Sequence, residues 1–209
     1  MKFAPKLLAT AFAIAAATSV SAQVINFDNL TGGPIGGGDV VTNQYAGLGV
    51  TFLDTYAGGA HANNTLGAFI PGSSSPNVLW TDQGGGASTG QYLQISFASA
   101  VGNVSALFGT SLGADITMAA YSGATLLDSV TLIGSIITGD VRSGLIGLTD
   151  TGITSVRLYS HSGNSSFNFS IDNLNWQAAA VPEPSTYAML FAGLGVVGWA
   201  TRRRQHAAR

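Results

Sequence analysis

Tyr92-Leu93-Gln94-Ile95-Ser96-Phe97 decides the fold. Leu93, Ile95 and Phe97 alternate with Gln94 and Ser96, and that period of two puts the three apolar side chains on one face of a strand. The same rule reads Phe167, Phe169 and Ile171, then after a break Leu174 and Trp176, as the core-facing line of a last strand. Outward from these anchors the chain shows short β-rich runs at 24–27, 49–53, 78–81, 104–108, 116–121, 125–132, 145–148 and 156–160, punctuated by Gly, Asn, Asp and Ser. No stretch of the body keeps a 3.6-residue period over three turns. About ten short strands at this spacing predict an all-β fold, an antiparallel β-sandwich of jelly-roll type.

Composition agrees. Of 209 residues 46% are hydrophobic, only 9% are charged, and none is cysteine, which excludes a disordered polyelectrolyte and a disulfide scaffold. Glycine supplies 25 of the 155 residues from 23 to 177, with clusters at Gly32-Gly33, Gly36-Gly37-Gly38 and Gly84-Gly85-Gly86 that mark loop tips. The stretch 55–77 lacks clear strand signals and reads as a mobile or binding loop. Between residues 23 and 177 two arginines, Arg142 and Arg157, face nine aspartates, a net charge of −7. Nucleic acid is thereby disfavoured as a partner, because phosphate binding needs clustered Lys and Arg.

The other six basic residues lie in the two ends, which read as addresses. Residues 1–22 form a secretory signal peptide: Lys2 and Lys6 supply the charged region, 7–17 the apolar stretch, and Val20-Ser21-Ala22 a small-residue cleavage site. At the other end a linker, 178–187, carries Pro182-Glu183-Pro184. An apolar run over 188–200 follows, and then a basic tail, 201–209, that contains Arg202, Arg203 and Arg204. Thirteen apolar residues as a helix rise about 20 Å against a hydrocarbon core of about 30 Å, so the run makes a weak single transmembrane anchor. The arginines place the tail on the cytoplasmic side and the body outside. Prolines 182 and 184 predict an extended linker, accessible at the membrane surface.

That order of Pro-Glu-Pro, short hydrophobic helix and arginine cluster resembles the PEP-CTERM sorting signal of exported proteins in Gram-negative bacteria. The resemblance implies a transient inner-membrane anchor with the domain in the periplasm, and processing by an exosortase-type enzyme. Release to the cell surface or the extracellular polysaccharide matrix follows. A second resemblance lies in Ile25-Asn26-Phe27-Asp28, 43–52 and Phe169-Ser170-Ile171-Asp172-Asn173-Leu174, which look like the bookends of sandwich domains found ahead of such signals and of carbohydrate-binding jelly rolls. It implies a structural calcium held by Asp28 and Asp172, hard oxygen ligands at the matching positions. The same Asp28-Asn29 and Asp172-Asn173 pairs equally serve as turn or bulge residues bonding local backbone.

Catalytic chemistry is sparse. Gly109-Thr110-Ser111-Leu112-Gly113 fits the G-x-S-x-G pattern, with Asp140 or Asp150 and then His161 in hydrolase order, but a strand rather than a helix is expected after Ser111. Gly193-Leu194-Gly195-Val196-Val197-Gly198 lies inside the apolar run and lacks the strand a dinucleotide site requires. His61 and His161, without Cys, do not make a zinc set. Glycoside hydrolysis needs two carboxylates facing across a groove, and although nine aspartates make some such pair unavoidable by chance, the body has no Glu. The sequence therefore reads as an exported, non-enzymatic structural or interaction module of the surface or matrix. Its alternatives are a carbohydrate-binding module, for which Tyr45, Tyr56, Trp80, Tyr92 and Tyr121 are the available rings, and a secreted hydrolase.

Overall fold

A computed structural model describes residues 22–34, 37–56, 58–67, 70–82, 90–110, 114–162, 165–179 and 184–207. The chain divides into two units. The larger, Val20–Ala179, contains eleven strands among the described residues: β1 Gln23–Ile25, β2 Val50–Asp54, β3 Gly59–Asn63, β4 Val78–Asp82, β5 Leu93–Thr110, β6 Asp115–Ser122, β7 Thr125–Leu132, β8 Ser135–Thr138, β9 Val141–Ser162, β10 Ser165–Phe167 and β11 Phe169–Ala178.

All strand pairings are antiparallel, and two long strands explain how one hydrogen-bonded network forms a sandwich. The first half of β5 pairs with β2, and the second half with β11. Strand β9 pairs with β8 through its first half and with β6 through its second, and lies beside β5 throughout. One layer is thus β2-β5-β9-β6-β7 and the other β3-β4-β11-β5-β9-β8, with β5 and β9 crossing from layer to layer. Their register breaks between Ser96 and Asn103, where the crossing occurs. At that corner Ala98 donates its N–H to the Gly49 carbonyl at 2.8 Å.

The break changes which residues face inward. Leu93, Ile95 and Phe97 are buried before it, and Val104, Ala106 and Phe108 after it, so the inward positions switch from odd to even numbers. Without that switch β5 would turn its apolar face to water halfway along. Met118, Ala120, Val156, Leu158, Phe169 and Ile171 complete the core from the neighbouring strands. Phe27, Tyr45 and Phe52 meet edge to face with centroids 5.8–6.1 Å apart. Each such buried side chain contributes about 1.5–3 kcal/mol, which stabilises the body without disulfides.

Several expectations need correction. The runs 92–97 and 104–108 are one strand, as are 145–148 and 156–160. The expected 55–77 loop contains β3, paired with β4 from Gly59 opposite Asp82 to Asn63 opposite Val78. The helix is also longer than the apolar run. Helix α1 spans Pro184–Ala207, 24 residues, so Pro184 begins the helix instead of extending the linker, and the arginine cluster continues it. A proline is tolerated there because the first helical turn has no use for its missing N–H. Strand β11 reaches Ala178, one residue into the expected linker. The signal peptide up to residue 21, Pro182, Glu183, Ser111 and Gly84-Gly85-Gly86 lie outside the described residues.

In α1, Met189, Leu190, Phe191, Leu194, Val196, Val197 and Trp199 are each more than half exposed. These positions go all the way round the helix axis, so no single apolar stripe is offered to a partner. Among the described residues no helix is long and apolar enough to cross a membrane, so the single transmembrane helix expected over 188–200 is not confirmed.

Candidate functional site

Two places on the body gather polar side chains. The first joins the expected aspartate pair. Strand β1 lies on β11 with Ile25 opposite Leu174, a register that carries the chain after β1 back toward Asp172. The segment 72–77 then ties both carboxylates down. Ser74 donates to Asp172 Oδ2 through its N–H at 2.5 Å and its hydroxyl at 3.0 Å, and the Asn77 N–H donates to Asp28 Oδ1 at 2.8 Å. The Asn77 amide donates to the carbonyls of Leu30 and Phe27 at 2.7 and 3.3 Å, and the Asn173 amide to that of Gly72 at 3.1 Å.

This knot is under-satisfied. Asp172 is fully buried, yet among the described residues its Oδ1 has no hydrogen-bond partner, and neither has Oδ1 of buried Asn77. Burial pushes the Asp172 carboxyl up; the bonds from Asn173 and Ser74 oppose that shift, and the charge of Asp28 adds to it. The Tyr45 phenol, whose hydroxyl donates to Asn29 Oδ1 at 2.6 Å, is pushed up to about 12 by burial and by the charges of Asp28 and Asp172. Phe27 and Asn173, each beside one of the aspartates, hold positive φ of 58° and 48°, a costly conformation for non-glycine residues.

The second place is the outer face of the β2-β5-β9-β6-β7 layer. Outward residues there follow from parity: Arg157 lies between buried Val156 and Leu158, and Tyr121 follows buried Ala120. The register puts Gln94 and Ala119 on either side of Arg157. Its guanidinium carbon is 4.6 Å from the ring centroids of both Tyr92 and Tyr121, a double cation–π arrangement. Arg157 Nε donates to Gln94 Oε1 at 3.0 Å, and Gln94 Nε2 donates to Ser96 Oγ at 3.1 Å. Ala119, of the same parity as Tyr121, is buried. Half-buried Tyr159 lies on the same strand face two residues from Arg157, and the Thr117 and Thr131 hydroxyls bond across β6 and β7 at 2.7 Å.

The candidate rings therefore divide. Tyr45, Tyr56 and Trp80 are core residues, 3–6% exposed, and offer no platform. Tyr92 and Tyr121 are half-buried rings brought together by Arg157, a residue not singled out from the sequence although its alternation with Val156 and Leu158 marks it as outward. A separate cavity of about 270 Å³ at the β5 corner, lined by Phe97, Val101 and Trp176, gathers no ionisable group. After Thr110 the described chain resumes at Ala114 and enters β6, a strand as expected. Buried Asn63 accepts three local bonds from Thr65 and Leu66, which makes it a turn residue. Among the described residues no three His, Cys, Asp or Glu side chains are grouped as metal ligands.

Comparison with known proteins identifies one segment. Residues 180–204 match the PEP-CTERM protein-sorting motif. The chain therefore carries the sorting signal of an exported protein, with Pro182, Glu183, Pro184 and Arg202, Arg203 and Arg204 inside the match. No curated protein is a significant match. Among solved structures, the chain is similar to the K1 cleaved adhesin domain of Lys-gingipain from Porphyromonas gingivalis W83, at 14% identity and a TM-score of 0.48, over 77% of this chain and 99% of that one. It is similar also to the CBM22-1 xylan-binding domain of Paenibacillus barcinonensis Xyn10C (15%, TM-score 0.40, 79% and 100%). The family 11 carbohydrate-binding module of Clostridium thermocellum is a third (14%, TM-score 0.34, 79% and 100%). At these scores nothing that those proteins bind is carried over to this chain.

Proposed function

We propose that the protein is a non-catalytic interaction module, exported and held briefly at the inner membrane by its C-terminal helix. An exosortase-type enzyme then releases it to the cell surface or extracellular matrix, where the outer sheet face around Tyr92, Arg157 and Tyr121 engages polysaccharide. The observation that carries the binding role is that face: two half-buried tyrosines, Tyr92 just before β5 and Tyr121 on β6, held by one arginine and flanked by amide and hydroxyl groups. Sugars present C–H faces and hydroxyls together, and such a face offers aromatic surface and hydrogen-bond partners at fixed spacing. The sorting motif and the all-round apolar surface of α1 support the route outward.

Screening the purified protein and its Tyr121→Ala variant against a polysaccharide array tests the reading. Saturable binding by the wild type, weakened about tenfold or more in the variant, is expected. Absence of saturable binding to any polysaccharide would leave a purely structural role.

A structural calcium is the second element of the proposal. Asp28, Asp172 and Asn77 would offer oxygen ligands, two of them buried without a partner among the described residues, which suits a hard cation better than zinc. Bound there, the ion would neutralise the two carboxylates and clamp 72–77 between β1 and β11.

A further inference from the structure

We infer that the Tyr92–Arg157–Tyr121 face takes an acidic saccharide, one bearing a carboxylate, as in a uronic-acid polymer; the inference rests on the polysaccharide reading of that face. The body is poor in positive charge, with two arginines against nine aspartates. The two differ in use. Arg142 Nη1 donates to the Gly134 carbonyl at 3.3 Å and its Nε is buried, so it is part of the fold. Arg157 faces outward, and among the described residues no carboxylate is ion-paired with it. Its only described hydrogen bond leaves through Nε to Gln94.

That single bond orients the group. With Nε tied to Gln94 and the cation held between two rings, the guanidinium plane is fixed while both terminal nitrogens keep their donors. A planar fork with two parallel N–H groups matches the two oxygens of a carboxylate. A half-buried cation in a body of net charge −7 would ordinarily have acquired an acidic partner from the chain. Its pairing with tyrosines instead leaves the charge available to a ligand. The protein's overall negative charge also repels polyanions at large, so retention of one requires a specific contact.

Affinity electrophoresis of the full-length protein distinguishes the sources of affinity. The gels contain polygalacturonate, its methyl-esterified counterpart, dextran sulfate or neutral dextran. Polygalacturonate should retard the wild type, and esterification of its carboxylates should weaken that retardation about tenfold or more. Arg157→Ala should lose it to the same extent, and Arg157→Lys should restore it only in part, because lysine keeps the charge without the fork. Unchanged melting temperatures would show both variants folded. Both keep Arg202, Arg203 and Arg204, so a loss in Arg157→Ala cannot come from the basic tail. Equal retardation by esterified and free polymer, or by dextran sulfate and polygalacturonate, would overturn the carboxylate assignment while leaving the polysaccharide reading intact. No retardation by any of the four polymers would overturn both.

Discussion

Asp172 is fully buried and, among the described residues, bonded through Oδ2 and without a partner at Oδ1. Its carboxyl is pushed up relative to the unfolded chain, chiefly by burial, so the folded state holds a proton that the unfolded state releases. The sign follows from linkage. Stability from this group is fully present below its unfolded pKa, near 4, and is lost as pH rises through the higher folded value. In chelator, melting temperature measured against pH should show that decline, and Asp172→Asn should flatten it. If calcium binds there, the carboxylates no longer need the proton. Calcium at a hundredfold over its Kd should then raise stability by about 2.7 kcal/mol, a rise in Tm of roughly 5–10 °C, absent in Asp172→Asn. Identical melting curves in calcium and chelator would remove the ion and leave Asp28 and Asp172 as turn residues.

At the scale of elements, the crossing of β5 and β9 determines the sandwich, and two glycines there and beside β8 separate backbone strain from crowding. Gly152, in the extra residues of β9 at the corner, has φ of 85° and open space around its missing side chain. Gly152→Ala should cost about 1–2 kcal/mol, all of it from a conformation that L-residues disfavour. Gly134 precedes β8, and a methyl there would lie 2.8 Å from the Ser143 carbonyl oxygen and 3.0 Å from the Phe108 ring. Gly134→Ala should therefore cost about 1–3 kcal/mol by forcing β9 backbone aside. Urea unfolding of both variants checks the pair. The same elements show what sequence could and could not reveal. Strands with branched or aromatic alternation, such as Leu93-Gln94-Ile95-Ser96-Phe97, were readable because side-chain period alone places them. Strand β3, Gly59-Ala60-His61-Ala62-Asn63, has no such side chains and is a strand only because β4 pairs with it. The joining of two expected strands into β5 depends on tertiary contacts at Ala98, which no local pattern encodes. The aspartate pair was readable as positions, but its partners Ser74 and Asn77 come from a stretch with no strand signal. Arg157 was readable by parity, whereas its place between two tyrosines needed the register of three strands.

For the whole molecule, the chemistry of the ends differs from that of the body. The body is acidic, cysteine-free and sealed by its own core. The C-terminal segment carries a matched sorting motif, a helix apolar on every side and a run of arginines. A helix of 24 residues is about 36 Å long, but its apolar part is only about 20 Å, short of a hydrocarbon core of about 30 Å. Delivery outward followed by release from this carrier is the claim on which the binding role depends, since a face for matrix polysaccharide is of use only outside the cell. Intact mass spectrometry of the protein recovered from the extracellular fraction of its native host measures that directly. The expected species lacks residues 1–22 and ends near Pro182-Glu183-Pro184, without Arg202, Arg203 and Arg204; an extracellular species that retains the arginine cluster would contradict it.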